Sequence, residues 1–284
     1  MKRFLYALIR IRVEITCVIM GRQEGGLFKV ELQSIGQALS SYVRPGTFPL
    51  AIKMVSSDGE IPEKARMPKR DLGTPMPVCQ GIGLARRYGW VMAMGAEDML
   101  CPPGAVTLGL LPAKAKFLDG SFKVPPWVKD QEVRARIMQS MPRLEEGKYS
   151  YLVASPLERA GFEPQVILIY GNPAQIARLI QATIWATGES VTSSSFGALS
   201  CAEEITRTIL TDRCQYIVAG GGNRLMAGVH DDEISFALPI SKAEAIIVGL
   251  EESHKHGMRY PTPTFLTYKA EFPPSFAELI DYLS

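Results

Sequence analysis

Gln165 to Tyr170 is a strongly β-favouring run, apolar from Val166 onward, and Gly171-Asn172-Pro173 follows it directly. Asparagine suits a helix N-cap, and proline suits the first helical position, where its missing N–H has no partner to lose. Ile176, Leu179, Ile180, Thr183 and Ile184 then fall three and four apart, on one face of a helix running to about Ala186. Gly188 stops it. A strand that feeds a helix through so short a turn places the chain among α/β folds.

The same order occurs earlier. Phe28 to Tyr42 has helical periodicity and ends at Arg44-Pro45-Gly46. Leu50 to Val55 reads as a strand and Ser57 to Pro77 as a long loop. A helix from about Pro77 to Tyr88 follows, closed by Gly89, then a strand over Trp90 to Met94 and a loop, Gly95 to Gly104, that holds Cys101. In the second half Glu189 to Thr192 is extended, Ser193 to Gly197 is a loop, and Cys201 lies just beyond. The expected architecture is therefore α/β (α+β). It has two similar strand–helix–strand halves, read as an internal duplication, with mixed sheets packed against helices. The halves cover about 27–125 and 150–284, joined by a hinge near Asp119 to Pro126. A pseudo-twofold axis would bring Cys101 and Cys201 to equivalent places. Strand–helix–strand order is common enough to arise without duplication.

Beyond Cys201 the pattern predicts a helix over Ala202 to Leu210, and a strand over Gln215 to Ala219. The glycine turn Gly220-Gly221-Gly222 leads towards further strand, Ile234 to Leu238. A helix from Ser241 carries Glu244 in capping-box spacing, and Phe276 to Leu283 is a short terminal helix. Residues 1–26 read as an extension to one domain over 27–284. Met1 to Met20 is apolar but interrupted by Lys2, Arg3, Arg10, Arg12 and Glu14. Its uncharged runs are far shorter than the roughly 18–20 residues of a membrane helix, and it has no continuous signal-peptide core. Either Met20 is the initiator or the segment is an extra element.

Charge excludes little but points away from nucleic acid. The net charge is +2, from 31 basic and 29 acidic residues, where nucleic-acid binders usually carry a basic excess or stripe. Lys64 to Arg70 is the nearest candidate, and it reads as a solvated loop face. Five cysteines, an odd number with no Cys-x-x-Cys pair, fit a reducing cytoplasmic setting rather than a secreted disulfide scaffold.

Three of those cysteines carry the most chemistry. Cys79 is placed in the first turn of its helix, where outward backbone N–H groups favour a thiolate. Cys101 precedes Pro102-Pro103, and iron–sulfur ligands often precede proline. Cys201 follows a Ser/Gly-rich loop and opens a helix. Each also has a plain alternative as a small buried hydrophobe. Three thiolates would leave one position open on a four-iron cluster. Cys214 reads as core, and Cys17 lies in the extension. The Gly220–Gly222 turn with Arg224 could approach an anion but has neither P-loop nor dinucleotide spacing. Gly81 and Gly83, inside a helix, suggest close packing against a helix or ligand. His230, His254 and His256 lack zinc-site spacing and read as surface residues.

One resemblance adds to this. The matching residues are Arg44-Pro45-Gly46-Thr47-Phe48-Pro49-Leu50-Ala51-Ile52-Lys53, Cys79-Gln80 with Ala85-Arg86, Cys101, Leu108-Gly109, Thr187-Gly188, Cys201, Gly220 to Arg224 and Leu238-Pro239-Ile240. In that order they resemble the uncharacterised prokaryotic family called domain of unknown function 169 (ArCR-type), over roughly residues 30 to 250. The resemblance implies a cytosolic protein and places Cys79, Cys101 and Cys201 in the family pattern, without implying an activity. The leading expectation is a cysteine-ligated metal or iron–sulfur (4Fe-4S) protein with a redox or small-molecule role. Its ligands would be Cys79, Cys101 and Cys201. The alternative is a metal-free small-ligand module, with a site between the halves lined by Gln80, Arg86 and Arg224.

Overall fold

The computed structural model describes residues 24–122, 128–185 and 187–262, with isolated positions beyond. The N-terminal extension with Cys17, part of the expected hinge and the expected helix over Phe276 to Leu283 lie outside the described residues.

Helix α1 (Glu24–Tyr42) leads to strand β1 (Leu50–Val55). Helices α2 (Pro68–Leu72) and α3 (Val78–Tyr88) precede β2 (Met92–Gly95). Three helices follow, α4 (Pro102–Thr107), α5 (Ala115–Leu118) and α6 (Gln131–Ser140), before β3 (Tyr151–Pro156) and β4 (Val166–Gly171). Then come α7 (Pro173–Ile184), a π-helical turn over Ala202–Thr206 that runs into α8 (Arg207–Thr211), and β5 (Gln215–Val218). The described elements end with α9 (Gly221–Ala227), β6 (Ile234–Pro239) and α10 (Ala243–Lys255).

The six strands form one sheet in the order β2-β3-β1-β4-β6-β5. Mixed sheets were expected, but every pairing between these strands is antiparallel, as in Ile52 opposite both Ala154 and Val166. Parallel pairing is confined to two isolated bridges, Arg66 with Met92 and Met76 with Met99.

Both faces of the sheet are covered, which explains why strands such as Val166–Gly171 are buried at every position rather than alternating. On one face Ala51, Ile167, Ile169, Phe236 and Leu238 pack against Leu32, Ile35 and Leu39 of α1, Ile176 and Leu179 of α7, and Ile246 and Leu250 of α10. Leu50, Ile52, Met94, Leu152, Leu168 and Tyr170 point the other way. They meet Val78 and Ile82 of α3, Ala105 and Leu108, Ile205 of the π turn, and the two thiols Cys79 and Cys201.

Local signals account for most element ends. Asn172 caps α7 by accepting from the Gln175 N–H at 2.9 Å, and Gln175 returns the bond to Asn172. Gly89 closes α3 in the left-handed region, φ 70°. Ser241 does not cap α10. Its hydroxyl bonds Asp212 instead, and the helix starts after a 3₁₀ turn. The residues after Gly220 form helix α9, where a glycine turn was expected, and the expected strand over Ile234 to Leu238 is β6. The long loop before α3 contains α2, which Pro68 opens and Gly73 closes.

The strand order reads alike from either edge if β1, β2 and β3 exchange with β4, β5 and β6. That is a symmetry of order alone and does not establish a duplication. The expected strand over Glu189 to Thr192 does not form. Cys101 therefore follows the second strand of its half, whereas Cys201 precedes the corresponding strand, so the two are not at matching points.

Close helix contacts depend on glycine. A Cβ on Gly83 would lie 2.8 Å from the Ala227 carbonyl oxygen, which lets α3 and α9 touch backbone to backbone. Gly249 does the same for α10 against Ala182 of α7. Gly249→Ala must push those helices apart, and an overpacked core of this kind costs about 1–3 kcal/mol. A thermal melt of that variant is expected to show a lower midpoint with secondary structure content unchanged below it.

Candidate functional site

Cys79, Cys101 and Cys201 come from three segments far apart in sequence and meet on the sheet face under α3. A Cβ placed on Gly104 would be 3.7 Å from the sulfurs of both Cys101 and Cys201. Those two sulfurs therefore lie within twice that distance of each other. Cys79, in the first turn of α3, is close enough for its charge to act on Cys201 and for that of Cys101 to act on it. All three are free thiols. Cys79 and Cys201 are buried and Cys101 is half-buried.

Each thiol is held by backbone geometry. Pro77 caps α3 and sets Cys79 in its first turn, where the Gln80 N–H bonds the Pro77 carbonyl at 3.0 Å and the Gln80 and Cys79 N–H groups favour the Cys79 thiolate. The Cys79 thiol faces the Gly222 carbonyl at 3.9 Å, at the start of α9. Cys101 is the N-cap of α4, followed by prolines at the first two positions, and the Gly104 N–H favours its thiolate. Cys201 leads into the π turn, and the Thr107 hydroxyl sits beside its sulfur. Thr206 on that turn donates to the Thr107 carbonyl at 3.0 Å, tying it to α4.

Burial dominates the electrostatics. It raises the Cys79 thiol to about 12, with Cys101 and Glu204 adding to the rise and the Gln80 N–H opposing it. Burial likewise raises Cys101, against the Gly104 N–H. Cys201 is pushed well up by burial, then by Cys101, Cys79 and Glu204. The cause is common to all three, since burying anions together without a counter-charge favours the neutral thiols. A bound cation reverses that logic, because a coordinating thiol loses its proton.

Two buried carboxyls on the π turn were not expected from the sequence. Glu204 is fully buried and accepts from Ser235 Oγ at 2.6 Å and from the Tyr170 hydroxyl at 3.1 and 3.2 Å. Burial raises its pKa, against Ser235, Tyr170 and Arg86. Glu203 accepts from the Phe196 N–H at 2.7 Å and Ser195 Oγ at 3.3 Å, and burial raises it to about 7. Only the pattern Cys-Ala-Glu-Glu could have signalled them, and on a surface helix two adjacent glutamates would be solvated. The π turn, a form often found at functional sites, turns both inward.

Arg86 and Arg224 are each held by the 228–233 loop through different partners, and no bond joins either to Gln80. Arg86 is fully buried and makes a bidentate pair with Glu233 at 2.9 and 3.0 Å, with its guanidinium 4.2 Å above the Tyr170 ring. Arg224 pairs with Asp231 and bonds the Ala219 carbonyl. Gln80 is half-buried on α3. Gly220 serves a close backbone approach, since a Cβ there would be 2.6 Å from the Gly197 carbonyl. Cys214 packs in the opposite core, as expected.

Among the described residues, no three His, Cys, Asp or Glu side chains stand close enough to hold a single metal ion as they are. No helix among them is long and apolar enough to cross a membrane.

Fold and site together define an α/β protein with an antiparallel sheet and a three-thiol cluster under one face. The family model for domain of unknown function 169, described as uncharacterised ArCR, matches residues 38–249, and the chain belongs to that family. It is also similar to an uncharacterised protein of Methanocaldococcus jannaschii, 26% identical over 211 residues, which are 71% of this chain and 86% of the relative. No solved structure matches the chain.

Proposed function

We propose that Cys79, Cys101 and Cys201 are the protein ligands of an iron–sulfur cluster, and that the protein serves a redox or small-molecule role in a reducing, cytoplasmic compartment. The observation that carries this reading is the meeting of the Cys101 and Cys201 sulfurs over Gly104, with Cys79 electrostatically coupled to Cys201. Cysteine thiolates are the usual ligands of such clusters, and backbone N–H groups aimed at the sulfurs tune them. A single zinc ion would need its sulfurs about 2.3 Å from the metal, and among the described residues no group of three such side chains stands that close together. Gly104 leaves room that a side chain would fill. When bound, the group would supply one-electron transfer, or a Lewis-acid iron at the corner without a thiolate. The chain's part is to hold three corners and exclude water from two of them. Iron and sulfide analysis of the full chain after anaerobic purification and reconstitution tests this. Near-stoichiometric cluster with thiolate-to-iron absorption is expected, and a folded, colourless, iron-free chain would sink the reading.

A second reading, a small-ligand module without metal, is favoured by a cleft of about 490 Å³ whose lining includes Thr47, Phe48, Arg86 and Arg87. Its lining takes Pro45 to Pro49 and Arg86 from the first half and Leu157 and Glu158 from the second. Retained thermal stabilisation by a small ligand in a Cys79→Ser, Cys201→Ser chain would support it.

A further inference from the structure

The cleft beside the Pro45 to Pro49 segment has more cationic donors than its ion pairs use. Arg86 and Arg87 both line it, and both pair with the same carboxylate, Glu233. Two guanidiniums on one acid leave a positive charge over. The Nε–H groups of both arginines are buried without a partner among the described residues. Arg86 is fully buried, so its charge acts from behind the wall. Its Nη1 donates to the Thr47 hydroxyl at 3.4 Å, and a hydroxyl that accepts there keeps its own hydrogen to donate. Arg87 is partly exposed and bonds Gly228 and Glu233 through Nη2 alone, which leaves Nη1 without a partner among the described residues. The backbone N–H groups of Gly46 and Thr47, also in the lining, have none either. Unused donors beside an excess positive charge suit an anion, because charge-assisted hydrogen bonds are the strong ones. Glu158 is the acid of the lining, and its charge works against a dianion. The remaining lining is largely apolar, with the Phe48 ring 40% exposed and backed by the Arg159 guanidinium at 5.2 Å.

We infer that this cleft binds a small organic monocarboxylate with an apolar body. The inference rests on reading the cleft as a ligand site, and it stands whether or not the thiols hold a cluster. The carboxylate takes the free donors of Thr47, Arg87 and the Gly46 and Thr47 N–H groups, and the apolar body lies on Phe48 and Leu157. One positive charge left over, with Glu158 in the same lining, matches one negative charge better than two. Glu233 and the Gly228 carbonyl hold both guanidiniums in place before any ligand arrives, so binding orders little.

The experiment is calorimetric titration of the full chain with three probes that share one apolar body: 3-phenylpropionate, 3-phenylpropionamide and 2-phenylethyl phosphate. Wild type is expected to bind the carboxylate about tenfold more tightly than the neutral amide, since hydrogen bonds to a charged group are worth at least that much. The phosphate should bind more weakly than the carboxylate, and Glu158→Gln should narrow that gap. Thr47→Val and Arg87→Met should each erase most of the preference for carboxylate over amide and leave amide binding unchanged. Thr47→Val covers the case in which the Arg87 variant fails to fold. Lys242→Gln, in a separate cleft beside Cys214, should change nothing. Equal binding of carboxylate and amide by wild type, or a preference that survives in Thr47→Val, overturns the inference and leaves the cleft as a site for neutral ligands. Tighter binding of the phosphate overturns the monoanion assignment, and loss of binding in Lys242→Gln overturns the location. A wild-type chain that binds none of the three overturns both the inference and the reading it rests on.

Discussion

Arg86→Met is expected to lose about 3–5 kcal/mol of stability, because it removes a fully buried guanidinium and leaves the half-buried Glu233 carboxylate with only its weaker partners. Arg86 is among the largest fully buried side chains. It makes two bonds to Glu233, one to the Gly228 carbonyl at 3.1 Å, and a cation–π contact with Tyr170. Arg87 also binds Glu233, at 3.1 Å, but from a partly exposed position. Set against a typical stability of about 5–15 kcal/mol, the loss is large. Urea unfolding measures it. A change below about 0.5 kcal/mol would contradict the account of α3 as clamped to the loop before β6. Adding Glu233→Met to Arg86→Met should recover much of the loss, since apolar replacement of both partners removes the uncompensated charge.

The same pair sets an acid limit. Burial alone would raise the Glu233 carboxyl, but Arg86, the His230 N–H and Arg87 outweigh it and hold it at about 2, against an ordinary 4.5. A depressed folded pKa stabilises at pH above the unfolded value and loses that contribution as pH falls. The Glu233 contribution should therefore be complete above about pH 4.5 and fade towards pH 2. In Arg86→Met the deficit should be largest at neutral pH and shrink over that window.

The second large effect concerns the cluster itself. Replacing Cys79, Cys101 and Cys201 together by serine should abolish iron uptake, and Cys201→Ser alone should remove most of it. Cys201 is the most deeply buried of the three thiols and opens the π turn between the other two segments. Cys214→Ser is the control, because that thiol lies in the core on the far side of the sheet. Circular dichroism checks that each variant folds. Iron retained by the folded triple variant would show that another group binds it.

Much of this was legible in the residues. Leu50–Val55 as a strand, the Pro77-to-Gly89 helix and the Asn172-Pro173 start of α7 all follow from local signals that the fold leaves intact. The antiparallel sheet was not legible, because covered strands read as continuous apolar runs whether their neighbours are parallel or not. Helix α9 was hidden by three successive glycines, residues of poor helix propensity, and its close packing on α3 comes instead from Gly83 against Ala227. The three thiols could be named from their settings, but their meeting depends on α4 and the π turn crossing under α3. Glu204 was beyond reach, since its inward direction comes from a π turn that no spacing announces. Arg86 was visible as a candidate ligand contact, yet its strongest partner, Glu233, is supplied by a loop far along the chain.

Native mass spectrometry of the anaerobically reconstituted full chain decides whether the three thiols hold a cluster. One added mass equal to a single iron–sulfur cluster is expected in wild type and in Cys214→Ser, and none in the folded Cys79, Cys101, Cys201 triple serine variant. A wild-type chain at its bare polypeptide mass, or a cluster mass that survives the triple replacement, would contradict it.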